Sequence, residues 1–197
     1  MTTRGRRSGF TLLEMLITLV VVALIFGNIA MVMRSSQSAY QQQSSTSDLD
    51  IQADQTLDHI ALALMSARLQ SLDPTANAPA YHSSLQFVQT LGVENGQVVV
   101  SDPERVELVV EQGKVVWKQR PDQLDERMIV WSRWVSDFLE GELPNGVDDN
   151  GNGLVDEKGL AFVIVGSQVT IHLTLERTEP GGKSILQSRS TVVACRN

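Results

Sequence analysis

The chain has 197 residues, with 16 Lys or Arg against 23 Asp or Glu, a formal charge of −7, and 42% hydrophobic residues. No basic excess is available to neutralise phosphates, which argues against nucleic acid as a partner. Its single cysteine, Cys195, excludes an intrachain disulfide and is expected as a small apolar residue packed at a strand end.

The first nine residues form a short leader that carries Arg4, Arg6 and Arg7 and ends in Gly9. From Phe10 to Met33 the only charged residue is Glu14. As a helix this run is roughly 36 Å long, enough to cross a hydrocarbon core. Only Arg34 follows it closely, so the positive-inside bias leaves residues 1–9 cytoplasmic and the remainder outside. A cleaved secretory signal has an apolar region of about 7–15 residues ending in an Ala-x-Ala-like site. This run is longer and lacks that site. A plain uncleaved anchor fits the length and the charge but gives no reason for Glu14, because a carboxylate at a helix centre in lipid costs on the order of 2.5–3.5 kcal/mol.

Gly9-Phe10-Thr11-Leu12-Leu13-Glu14 followed by a long apolar helix resembles the class III signal of type IV pilins and type II secretion pseudopilins. The resemblance implies that a prepilin peptidase cuts between Gly9 and Phe10 on the cytoplasmic side and that Phe10 becomes a methylated N-terminus. It also gives Glu14 a partner, the terminal amine of a neighbouring subunit during filament assembly. Opposite charges that are each costly in a low-dielectric medium attract strongly there, and only the correct axial stagger brings them together. Loss of the leader removes three arginines and leaves −10. Many major pilins close a C-terminal loop with a disulfide, and this chain departs from that pattern. A minor subunit is therefore expected, most like the J-type minor pseudopilins or the W-type minor pilins.

The helix is expected to continue outside the membrane over residues 35–72, which contain no Pro and no Gly. Leu57, Ile60, Ala61, Leu64, Met65 and Leu69 recur at three- and four-residue spacings and form a core-facing stripe. Asp73-Pro74 and the segment up to Pro79 end it. Residues 73–197 then read as a β-rich head. Leu85 and Phe87 alternate with Gln86 and Val88, and Val106, Leu108 and Val110 lead through Gln112-Gly113 into Val115-Val116-Trp117 as a hairpin. Met128 to Val135 reads as strand or short helix, with Trp131 and Trp134 in the core or on a sheet face. Asp122, Asp125 and Glu126 are expected as a solvated acidic surface. Ala161 to Val165 is a strand, and in the next one Val169, Ile171, Leu173 and Leu175 face opposite to Thr170, His172, Thr174 and Glu176. Pro180-Gly181-Gly182 turns the chain into a last strand, Ser184 to Ala194. The expected fold is α+β and pilin-like: a long N-terminal helix packed by its C-terminal half against an antiparallel sheet.

Between the strands, residues 145–157 alternate oxygen-bearing side chains with glycines. Asp148, Asn150 and Asn152 followed by Gly153 match the opening of an EF-hand calcium loop. A hard cation takes six to eight oxygens at roughly 2.3–2.6 Å, and alternate residues of a tightly coiled loop point inward. Asp148, Asn150, Asn152 and Asp156 are the expected side-chain ligands, with the Leu154 carbonyl beside them and Glu157 closing the shell. The twelfth position is Gly159 instead of a bidentate glutamate, so the loop resembles the compressed calcium loops of some extracellular proteins. The alternative is an Asx-rich turn that only solubilises the surface. The ion, Ca2+, would be structural, its binding free energy adding to that of folding.

His59, His82 and His172 are far apart in the chain, and no nucleophile motif, phosphate loop or cysteine pair is present. An enzyme is not expected. The expected function is that of a minor pseudopilin in a type II secretion filament. The alternatives are a minor pilin of a type IV pilus and a membrane-anchored calcium-binding module that does not assemble. The expected partners are the prepilin peptidase, other pilin or pseudopilin subunits, and lipid before assembly. The expected location is the bacterial inner membrane, crossed once with the head periplasmic, and then a periplasmic or extracellular filament.

Overall fold

The computed structural model describes residues 11–75, 81–179 and 182–195. The leader, the Gly9-Phe10 junction, Pro79 and the Pro180-Gly181 part of the last turn lie outside the described residues. One helix, α1, spans Leu12–Met65. The chain divides into two units, Met1–Ser45 and Thr46–Asn197.

In the first unit the described residues are helical from Leu12 onward, and the apolar side chains are bare: Leu12, Ile17, Leu24, Phe26 and Met33 are all exposed. An 18-residue window of this helix has a mean hydropathy of 2.6 with none of it buried, so it is long and apolar enough to cross a membrane. No soluble core accounts for that surface.

In the second unit α1 buries Leu49, Ala53, Leu57, Ile60 and Leu64, spaced by three or four residues, on one face. Met65 of the expected stripe is exposed instead. The helix also stops at Met65, short of the expected Leu72, because the backbone finds other partners. Arg68 N–H donates to Val88 O (3.1 Å), Thr90 N–H to Ser66 O (3.1 Å), and Asp73 and Gln86 exchange bonds of 2.9 and 2.8 Å. A 3-10 turn, Leu69–Ser71, fills the gap, and Leu72 enters the core.

Ten strands follow: β1 (Tyr81–His82), β2 (Ser84–Phe87), β3 (Thr90–Glu94), β4 (Gln97–Val100), β5 (Glu104–Val109), β6 (Lys114–Gln119), β7 (Arg127–Arg133), β8 (Leu160–Val165), β9 (Gln168–Thr178) and β10 (Ser184–Ala194). They form two four-stranded sheets, β1-β8-β9-β10 and β2-β5-β6-β7, and a separate ribbon, β3-β4. Every pairing is antiparallel. The α+β architecture of one long helix followed by antiparallel sheet is the expected one. The core joins the helix stripe to Leu85, Phe87, Val106 and Val115 from one sheet and to Phe162, Ile171, Leu173 and Leu175 from the other. Cys195 is buried just after β10, where burial pushes its thiol pKa up.

Trp117 and Trp131 stack with ring centroids 6.2 Å apart, and His59 stacks on Trp131 at 5.7 Å. Trp131 thus lies on a sheet face as expected. Trp134 is 44% exposed, at φ 68, with the Arg177 guanidinium 5.1 Å from its ring. The acidic run is paired: Asp122 meets Arg105 at 2.6 Å, Glu126 meets Lys118 at 3.5 Å, and Asp125 meets Arg120.

Candidate functional site

The segment between β7 and β8 carries the oxygen-rich loop, and β9 fixes both of its flanks. Beyond the pair Leu160↔Leu173, where β8 begins, residues 134–136 take over the free edge of β9. Ser136 N–H donates to Thr174 O (3.0 Å) and Glu176 N–H to Trp134 O (2.7 Å). On the other flank Thr174 N–H donates to Gly159 O (2.8 Å). The two flanks meet so closely that a Cβ on Gly159 would lie 2.0 Å from Ser136 O. This explains the glycine at the twelfth position: that residue is packed against backbone and has no room to carry a ligand.

Within the loop, Asp148 folds the chain back on itself. Its Oδ1 accepts from Gly151 N–H (2.7 Å) and Asn152 N–H (3.2 Å), and its Oδ2 from Gly153 N–H (2.8 Å). Asn150 and Asn152 make Asx turns through their Oδ1 atoms, onto Asn152 N–H (3.0 Å) and Leu154 N–H (2.8 Å). Asp156, at φ 53, accepts from Asn145 and Gly146 N–H at 3.1 Å and so latches the end of the loop to its beginning. Glu157 is fully buried. Its Oε1 accepts from the Asn152 amide at 2.5 Å, while its Oε2 is buried with no hydrogen-bond partner. The fold thus brings Asp148, Asn150, Asn152 and Glu157 together, with Asp156 on the latch side.

Charge accumulates here without compensation. Glu142, Asp148, Asp149, Asp156 and Glu157 lie within sixteen residues, and among the described residues none of them forms an ion pair. The Tyr81 hydroxyl donates to Asp156 O (2.7 Å), and its pKa is pushed up by burial and by the charges of Glu157, Asp156 and Glu142. Burial holds the His172 pKa down, with Glu157 opposing. Among the described residues no group of three or more His, Cys, Asp or Glu is placed to hold a metal by itself. Any cation here would draw on amide and main-chain oxygens as well.

At the other end of the chain, Thr11 precedes the first turn of α1 and its Oγ1 accepts from Glu14 N–H at 3.3 Å. Thr11-Leu12-Leu13-Glu14 has the spacing of a capping box, in which the hydroxyl satisfies an orphan donor of the first turn and an acid occupies the third helical position. Glu14 is the acid of that turn and sits where the helix dipole favours negative charge. The family model for the prokaryotic N-terminal methylation motif matches residues 4–27.

The chain carries a prokaryotic N-terminal methylation motif. The motif supports the type IV pilin and pseudopilin family and indicates a structural subunit that is processed by prepilin peptidase and assembles with other pilin subunits. Its apolar helix fits anchoring in the inner membrane. No curated protein and no solved structure matches the chain. Within the motif the cleavage residues Gly9 and Phe10 lie outside the described residues, whereas Glu14 lies inside them. Thr11 has its own signal in the sequence, since threonine three residues before a glutamate at the start of an apolar run marks a helix start. Glu142 has no such signal beyond its proximity in sequence to the loop.

Proposed function

We propose that this chain is a minor pseudopilin, a non-enzymatic subunit of the periplasmic filament of a type II secretion system that assists protein export. The observation that carries the reading is Glu14, the one charge in the bare apolar stretch of α1 up to Met33, which carries the methylation motif. The helix dipole lowers the cost of a negative charge in the first turn, and the amine of a processed neighbour would supply the opposite charge. Cys195 stands alone, which favours a minor subunit over a disulfide-closed major one. Mass spectrometry of the membrane-extracted protein should find an N-terminus at Phe10 bearing one methyl group. A Glu14→Ala strain should process the leader and fail to add the subunit to filaments, with the exported substrate retained in the periplasm. An N-terminus elsewhere sinks the assignment, and loss of surface pili with secretion intact moves the subunit to a pilus.

The head is further proposed to hold one structural Ca2+. Asp148, Asn150 and Asn152, the Leu154 carbonyl, Asp156 and Glu157 would hold it, and the group they form is rich in hard oxygen donors suited to that ion. Support comes from the buried, unpartnered Oε2 of Glu157 and from five carboxylates without a cationic side chain among them. Glu142 and Glu157 are buried, and a buried negative charge is costly unless something neutralises it. A bound divalent cation supplies that neutralisation and ties the loop to β8.

A further inference from the structure

Glu142 lies three residues before the oxygen-rich segment and is 5% exposed. Its Oε1 accepts from Asn150 N–H (3.0 Å) and its Oε2 from Asp156 N–H (3.2 Å), so one carboxylate spans the third and ninth positions of the loop. Its own backbone is tied to the closing residue as well: Glu142 N–H donates to Leu139 O (3.0 Å) and Leu139 N–H to Glu157 O (2.9 Å). Two neutral N–H donors leave its negative charge uncompensated, and the buried Oε2 of Glu157 likewise has no hydrogen-bond partner.

We propose that Glu142 is a positioning residue of the cation loop. It holds the backbone of Asn150 and Asp156 so that their side chains are presented to the ion, and it adds a buried negative charge that makes the site favour cations of higher charge. The proposal rests on the reading of this loop as a cation site. Hydrogen-bonded groups behind the ligands typically change metal affinity by about 10–100-fold. A fixed charge acts on an ion in proportion to the ion's own charge. Removing it therefore lowers the logarithm of affinity for a trivalent ion about one and a half times as much as for a divalent ion of similar size. A residue that only shaped the loop would weaken both ions by the same factor.

The test uses the full chain in detergent micelles, with calcium binding followed by calorimetry and terbium(III) binding by luminescence sensitised through Tyr81. Wild type should bind both ions and Asp148→Ala neither. Glu142→Gln should weaken calcium about tenfold and terbium more, by up to about thirtyfold, since the lost charge acts more strongly on the trivalent ion. Glu142→Asp keeps the charge but shortens the reach, so it should weaken both ions equally and leave their ratio at the wild-type value. Equal losses for the two ions in Glu142→Gln overturn the charge role, and unchanged affinity in Glu142→Asp overturns the positioning role even where Glu142→Gln does not fold. Both results leave the cation loop standing. A wild type that binds neither ion overturns the loop reading and this proposal together.

Discussion

Glu104 stands on β5 among Val106 and Leu108, facing the core, and yet is an acid. Its Oε2 accepts from Gln89 Nε2 (2.9 Å) and Trp117 Nε1 (2.8 Å), and both bonds favour the charged form. Burial outweighs them and raises the carboxyl pKa. A pKa that is higher in the folded than in the unfolded chain means that the folded state binds more protons, so the cost of Glu104 is fully present at neutral pH and fades as pH falls through the raised value. Glu104→Gln removes that charge and keeps an oxygen for Trp117. The variant should melt higher than wild type at about pH 7.5, and the advantage should vanish by about pH 4, where the wild-type acid is itself neutral. A constant difference across that range would mean that the charge is not what costs stability.

The stretch of α1 in the second unit is held by a stripe, and the stripe sorts its residues sharply. Leu64 is fully buried, whereas Leu62, two positions away, is 66% exposed. Leu64→Ala should cost about 2–5 kcal/mol in an unfolding titration, and Leu62→Ala within about 0.5 kcal/mol; equal costs would show that the stripe is misplaced. This stripe was legible because burial imposes a period, and so were β5 and the first half of β9, in which buried and less buried residues alternate, whereas β6, with Val115 and Val116 both buried, was marked by the Gln112-Gly113 turn before it. The ribbon β3-β4 was not read, although Asn95-Gly96 at φ 49 and 78 is a favoured hairpin turn. Leu91, Val93, Val98 and Val100 are all exposed, so no core forces a polar residue between them and the alternation is blurred. The end of α1 is not legible for a related reason, since residues 66–73 have helical composition but their backbone is claimed by residues 86–90, far along the chain. Of the loop, the ligand spacing was visible in the sequence. The clasp by Glu142 was not, because no spacing rule connects a loop to an acid outside it.

The two units have different sources of stability. Residues 12–45 bury nothing among the described side chains of the apolar run and depend on lipid or neighbouring subunits, whereas Thr46–Asn197 has its own core. A cation in the loop would stabilise only the latter, by about 2.7 kcal/mol when free calcium is a hundred times its dissociation constant. For a unit of this size roughly 2–4 °C of melting temperature accompanies each kcal/mol, so chelation should lower the transition by about 5–10 °C. The signals separate the units cleanly, because all three tryptophans (Trp117, Trp131 and Trp134) lie in the second. In micelles, the near-UV tryptophan transition should move with EGTA and return with added calcium, while the helical far-UV signal that survives it should not respond. Asp148→Ala should melt at the chelated temperature whether calcium is present or not. A near-UV transition indifferent to EGTA in wild type would instead mean that the five acids are carried without an ion, with the hydrogen bonds to Asp148, Asp156 and Glu142 meeting the cost alone.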